Sequence, residues 1–252
     1  GDRNECKGRA TALLPAFGWG MWRSGYGTAG SLRTGALDVP KPVTRALVAP
    51  ATAGLQQSTG IFARDRDLAL SSLIPLVEGN DALRARLRIT EADEHTIDLQ
   101  YFLLKQDLPG ALISRSLLDA ADRGVRVRFL LDDIFTTVPD DALGLLDAHP
   151  NIEVRVFNPA MRTGPKALGP AAEFARVNRR MHNKTFTADG AVAIVGGRNI
   201  ADEYYQIQTV SEFADFEISI IGPAVRGCVH YYRFSGFNEP RLRACGIPAA
   251  ST

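Results

Sequence analysis

Helical and strand hydrophobic periods alternate over residues 81–157, and this alternation restricts the possible folds more than any other feature of the sequence. Apolar residues at helical spacing are separated by runs in which every second residue is apolar. The predicted helices are 81–92, 111–123 and 140–148, and the predicted strands are 97–103, 125–131 and 152–157. Strands and helices in this order predict an α/β fold whose sheet is at least partly parallel.

A chain of 252 residues is long enough for one globular domain with an additional arm. Residues 1–60 have no sustained period and contain many glycines and prolines, so we expect a poorly defined N-terminal arm. Residues 61–240 are expected to form the domain, and residues 241–252 a tail. Trp19 and Trp22 lie among glycines in the arm, where they could contact lipid headgroups or belong to a poorly ordered segment.

Charge and cysteine content exclude several classes of protein. The chain has 29 Lys and Arg against 28 Asp and Glu, and a net charge of +1 argues against a protein that coats nucleic acid electrostatically. Its three cysteines are widely spaced, which excludes a disulfide framework and a zinc site built from thiolates. No apolar run approaches the ~20 residues that cross a bilayer, so we expect any membrane contact to be peripheral.

Two short runs rich in β-branched residues flank Asp189-Gly190, a dipeptide that predicts a hairpin turn. His182 and Lys184 lie two residues apart before this turn, so on a strand both side chains would leave the same face. An imidazole beside an ammonium is a poor metal site, but it suits attack on a phosphate ester whose oxygens the ammonium neutralises. Asp189 lies at an odd offset from His182, so we expect it to face the other way and to act mainly in holding the turn.

The return strand ends in Gly196 and Gly197, which have no Cβ and would let a ligand or another backbone approach closely. Asn199 follows as a neutral hydrogen-bond donor, and we expect these three residues to bind substrate. Asp132 and Asp133 directly follow the predicted strand 125–131, and we expect them to cap the next turn rather than to bind a metal.

The spacing H-x-K-x4-D-x6-G-G-x-N resembles the signature of the phospholipase D superfamily, and it is filled here by His182, Lys184, Asp189, Gly196, Gly197 and Asn199. Segments 97–101, 120–127, 178–184 and 197–205 are similar to bacterial cardiolipin synthases, most of all to the type C branch. The likeness covers about residues 40–240 and is clearest over 80–222. It implies a phospholipase D-like α-β-α sandwich, in which helices flank a mixed β-sheet.

The resemblance also implies a reaction, namely transfer of a phosphatidyl group between phospholipids through a phosphohistidine intermediate, with no metal or cofactor. The expected substrate is phosphatidylglycerol or a related lipid at a bacterial cell membrane. Asp215 matches the carboxylate that, in this family, accepts the Nδ1 proton of the nucleophilic histidine. A phosphodiesterase acting on nucleic acid is the alternative, and the absence of a basic stripe weighs against it.

Members of this family carry two H-x-K motifs, and the second histidine protonates the leaving oxygen. This chain has one, because none of His95, His149 and His230 is followed by lysine two residues later. Two accounts remain open. A homodimer could bring two motifs together. Alternatively, the chain is half of a two-lobed enzyme, silent or nearly so alone, and the face that meets the other half would be exposed and apolar.

Overall fold

One mixed β-sheet organises the part of the chain that the computed structural model describes, which is residues 44, 54–55, 70–157, 180–207, 213–228 and 244–246. Its strands are β1 (Ser72–Leu76), β2 (Thr96–Tyr101), β3 (Arg126–Asp132), β4 (Ile152–Phe157), β5 (Thr185–Ala188), β6 (Val192–Gly196), β7 (Glu217–Ile221) and β8 (Ala244–Gly246). They lie in the order β1-β7-β6-β5-β2-β3-β4-β8. Strands β2, β3 and β4 are parallel, and every other pairing is antiparallel.

Helices α1 (Gly79–Ala92), α2 (Leu108–Asp122) and α3 (Asp140–Asp147) occupy the connections between the first four strands. Residues of all three helices join the same apolar cluster as alternate residues of β2, β3 and β4. The predicted α/β class, with helices flanking a mixed sheet, is therefore confirmed. No helix in the described part of the chain is both long enough and apolar enough to cross a membrane.

The start of α2 was not predicted, because it depends on a cap rather than on hydrophobic period. Asp107 accepts a hydrogen bond from the backbone N–H of Gly110 at 3.1 Å, and Pro109 occupies the first turn. Both features favour a helix that begins at Leu108, three residues before the predicted start.

The division into arm, domain and tail stays a prediction, and Trp19 and Trp22 lie outside the described residues. Within the predicted arm, the hydroxyl of Thr44 donates to Glu153 at 2.8 Å, and Leu55 packs against the apolar core. Within the predicted tail, β8 pairs with β4.

A buried ion pair connects α1 to the β7 side of the sheet. Arg86 Nη2 lies 2.5 Å from Glu217 Oε1, and the two side chains are 1% and 0% exposed. Arg86 Nε also donates to the hydroxyl of Tyr101 at 2.9 Å. Arg198 Nη1 lies 3.8 Å from the other oxygen of Glu217. One carboxylate therefore balances two guanidinium groups in the interior.

We predict that Glu217→Gln destabilises the fold by about 3–5 kcal/mol, because it leaves buried guanidinium charge without a counter-ion. Urea unfolding followed by far-UV circular dichroism measures this loss. Glu91→Gln is the matched control, since Glu91 is exposed and should tolerate the same substitution. Equal stability of the two variants would show that the ion pair contributes little.

Candidate active site

Sheet topology brings most of the motif residues to one edge of the sheet. Strands β2, β3 and β6 run in one direction, while β5 and β7 run in the other. The carboxyl ends of the first set therefore meet the amino ends of the second, and we call this edge the site edge. Ligands of open α/β sheets bind beyond the carboxyl ends of the parallel strands. The predicted residues at the site edge are His182, Lys184, Gly196, Gly197, Asn199 and Asp215, whereas Asp189 lies at the opposite edge.

The prediction that His182 and Lys184 lie on a strand is wrong. Strand β5 begins only at Thr185, and residues 180–184 form an irregular segment that leads into it. The two side chains also differ in exposure, because His182 is exposed and Lys184 is only 5% exposed. The backbone carbonyl of Lys184 accepts a hydrogen bond from the N–H of Gly196 at 3.4 Å, which connects Lys184 to the end of β6 just before β5 begins.

Asp132, the last residue of β3, anchors this segment. Its fully buried carboxylate accepts hydrogen bonds from the backbone N–H of Met181 at 2.8 Å and from Arg180 Nη1 at 3.2 Å. It also accepts from the backbone N–H of Ile134 at 3.0 Å, which is the predicted turn cap. The turn cap could be predicted from the sequence. The contact with Met181 could not, because no sequence pattern relates Asp132 to a residue 49 positions later.

The imidazole of His182 and the ammonium of Lys184 meet on one aromatic ring. The ring centroids of His182 and Phe102 are 4.7 Å apart, and Lys184 Nζ lies 4.9 Å from the Phe102 centroid. The ammonium donates to the backbone carbonyl of His182 at 3.0 Å. Among the described residues, no carboxylate oxygen lies within 4.0 Å of it. A buried cation thus stands beside an exposed imidazole with no direct anionic partner.

Desolvation lowers the pKa of both groups, although the His182 side chain keeps an exposed face. Burial lowers the pKa of Lys184 to about 8, although the charges of Asp215 and Asp132 act in the opposite direction. Burial, followed by the charge of Lys184, also lowers the pKa of His182 from its usual 6.5, and Asp132 opposes this shift. At neutral pH the ammonium is therefore mostly charged and the imidazole mostly neutral, as a nucleophile beside an anion-binding group requires.

Asp215 and the two glycines pack against one another. A Cβ on Gly197 would overlap the carboxylate of Asp215, and one on Gly196 would overlap the backbone carbonyl of Phe216. The space beside the two glycines is therefore occupied by Asp215 and Phe216 rather than left for a ligand. Asp215 Oδ1 accepts from the backbone N–H of Phe216 at 2.8 Å. Within the described residues no hydrogen bond joins Asp215 to His182, so the expected carboxylate–imidazole pair is not formed.

Asn199 is already engaged by a tyrosine. Its side chain is 3% exposed, and Nδ2 donates to the hydroxyl of Tyr204 at 2.9 Å. Its Oδ1 is buried and has no hydrogen-bond partner in the described part of the chain. The amide expected to donate to a ligand is thus held by Tyr204.

Asp189 and Gly190 form the predicted hairpin turn at the opposite edge. Their φ angles of 51° and 61° are both positive, as a primed turn requires. The fully buried carboxylate of Asp189 accepts from the backbone N–H groups of residues 94–96 at 3.0–3.3 Å. Burial, together with Asp189, raises the pKa of the neighbouring Asp93 to about 9, so Asp93 is neutral at pH 7 and can donate to Asp189.

Comparison with known proteins relates the chain to one family. Residues 86–210 match the family described as "Cardiolipin synthase, PLD-like domain". The chain is 51% identical to Cardiolipin synthase C of Escherichia coli (strain K12) over 153 residues, which are 61% of this chain and 32% of that protein. It is 32% identical to Cardiolipin synthase of Geobacillus kaustophilus over 152 residues, which are 60% of this chain and 29% of that protein.

The chain therefore spans about a third of the length of the curated relatives it matches. Among solved structures, NucT from Helicobacter pylori superposes with a TM-score of 0.48 at 18% sequence identity. That superposition covers 70% of this chain and 98% of NucT.

We predict that Asp189→Asn destabilises the fold by about 1–3 kcal/mol, because an amide cannot accept all the hydrogen bonds that the carboxylate accepts. Urea unfolding measures the loss, and Asp81→Asn, in an exposed ion pair, is the matched control. The His182 pKa, followed by NMR, should stay unchanged because the two residues lie at opposite edges. A shifted His182 pKa in a variant of normal stability would contradict this separation.

Proposed function

Because residues 86–210 match the family described as "Cardiolipin synthase, PLD-like domain", we propose that this chain supplies the nucleophilic half of a phosphatidyltransferase. The observation that carries the proposal is the pairing at the site edge of an exposed, neutral imidazole with a buried ammonium that has no direct anionic partner among the described residues. An incoming phosphodiester would supply the missing anion. The similarity to cardiolipin synthases supports a phospholipid, with phosphatidylglycerol the expected donor.

The proposed reaction has two displacements at phosphorus. A ring nitrogen of His182 attacks the phosphodiester, an N–P bond forms, and the bond from phosphorus to the leaving alcohol breaks. Lys184 neutralises the non-bridging oxygens, whose charge grows in the transition state. A second alcohol, or water, then attacks phosphorus as the N–P bond breaks, and its proton passes to the group that had protonated the first leaving alcohol. Asp215 acts here through Lys184, whose charged form it favours.

The leaving alcohol must take up a proton, and we propose that a second H-x-K motif supplies it. A homodimer or another half of a longer enzyme could provide that motif, and the proposal holds in both cases. A chain without access to a second motif would form the N–P bond slowly or not at all on natural lipids, which is the silent-half alternative.

Apolar side chains exposed at the site edge support a lipid ligand and peripheral contact with a bacterial membrane. They follow β1 and β3 or precede β7, on both sides of the motif residues. Their exposed fractions are between 44% and 59%, and they are Val77, Ile134, Phe135, Phe213 and Phe216. Acyl chains would meet apolar surface on either side of the phosphate.

We predict that a phosphatidyl ester of p-nitrophenol labels His182 even without a second motif, because p-nitrophenolate leaves without being protonated. The chain should release p-nitrophenolate in a burst and hold one phosphatidyl group in an acid-labile bond that mass spectrometry locates at His182. His182→Ala should abolish both signals. His95→Ala is the matched control, because His95 is an exposed histidine at the opposite edge and should leave them unchanged.

An adduct that survives in His182→Ala would identify another nucleophile and overturn the proposal. Hydrolysis of plasmid DNA in chelator, with no turnover of the lipid ester, would instead favour the nuclease alternative.

We predict a bell-shaped pH dependence for this burst rate. The rate should rise as the His182 imidazole loses its proton, below the usual pKa of 6.5, and fall as Lys184 loses its charge near pH 8. Asp215→Asn removes the largest contribution that keeps Lys184 protonated, so the alkaline limb should move to lower pH. An alkaline limb that stays in place would show that Lys184 does not control it.

A further inference from the structure

Phe102 is the side chain that contacts both His182 and Lys184. It follows β2 directly and is half-buried at the site edge. Its ring meets the His182 ring at an interplanar angle of 60°, while Lys184 Nζ lies 4.9 Å from its centroid. An aromatic face attracts a cation, and this attraction strengthens when the cation is removed from water. The ring therefore offers the ammonium one of its few favourable contacts.

The position of Phe102 is fixed by its surroundings. Its ring packs edge-on against Phe135, with centroids 5.3 Å apart. The backbone that follows it pairs with Ile200, which donates to the carbonyl of Leu103 at 3.2 Å and accepts from the N–H of Lys105 at 3.0 Å. A residue held in this way can act as a rigid support for groups that approach from the irregular segment 180–184.

We propose that Phe102 is a positioning residue that holds the imidazole and the ammonium against one ring, so that both reach the same phosphate. That both groups reach a phosphate rests on the proposed function. That the ring holds both groups does not depend on it. The ring acts in two ways. Its face stabilises the charged ammonium, and its bulk excludes water from it. These two effects move the pKa of Lys184 in opposite directions, so substitutions can separate them.

Other charges that face Lys184 come from three directions and stay in place in a Phe102 variant. Asp132 lies at the end of β3, Asp215 lies before β7, and His182 lies on the same segment. Arg180 Nη1 is paired with Asp132. A change in the Lys184 pKa on substitution of Phe102 would therefore report the ring rather than a lost charge.

The test compares Phe102→Leu with Phe102→Ala in the full chain without substrate, by NMR titration of the lysine Cε and histidine ring signals. Leucine keeps apolar bulk but has no aromatic face, so the Lys184 pKa should fall and the ratio of charged to neutral ammonium should drop about tenfold. Alanine admits water, so the pKa of Lys184 should rise from about 8 and that of His182 should rise toward 6.5. Phe213→Leu is the control, because Phe213 is an exposed aromatic that packs on Tyr204 and should alter neither pKa.

A Lys184 pKa that stays the same in both Phe102 variants, or rises in both, would overturn the proposal. Should Phe102→Ala fail to fold, as judged by thermal melting, the direction of the change in Phe102→Leu decides alone. The titration needs no substrate, so it is independent of the lipid-ester experiment. An unlabelled His182 together with the predicted pKa changes would refute the proposed function and leave the role of the ring standing.

Discussion

A lysine ammonium held almost out of water is the constraint around which the site edge is arranged. Burial disfavours charge, and no carboxylate of the described residues lies within 4.0 Å of Lys184 Nζ. The charged form depends instead on a backbone carbonyl, an aromatic face and the more distant charges of Asp132 and Asp215. Each of these is weaker than a direct ion pair, so an anion that arrives from outside gains much from this position. A phosphodiester is the anion that we propose for this position, because a neutral imidazole beside the cation can attack phosphorus.

The motif residues on either side of β5 have different roles. His182 and Lys184 precede the strand, where side-chain contacts hold them at the edge that can receive a ligand. Asp189 follows the strand, and its carboxylate satisfies backbone N–H groups of the segment that enters β2. The polar groups before β5 remain available to a ligand, whereas the carboxylate after β5 has its hydrogen bonds satisfied by the protein.

Local chemistry explains what could be predicted from the sequence. The period of 81–92 and the turn at Asp189-Gly190 depend on neighbouring residues, and both were predicted correctly. The departure of His182 and Lys184 from the strand could not be predicted, because it depends on the anchor at Asp132 and on the ring of Phe102. The same holds for Gly197, since only the fold shows that the carboxylate of Asp215 occupies the space beside it. The missing bond from Asp215 to His182 shows that a matching position in sequence does not determine a contact.

A crystal structure of the chain with orthovanadate would test the central claim most directly, because vanadate takes the geometry of phosphorus during displacement. Our account predicts one vanadium bonded to a ring nitrogen of His182, with Lys184 Nζ within hydrogen-bond distance of a vanadate oxygen and the aromatic face of Phe102 still against the ammonium. Vanadate bound elsewhere, or bound to His182 while Lys184 makes no contact with it, would contradict the claim that these two groups act on the same phosphate.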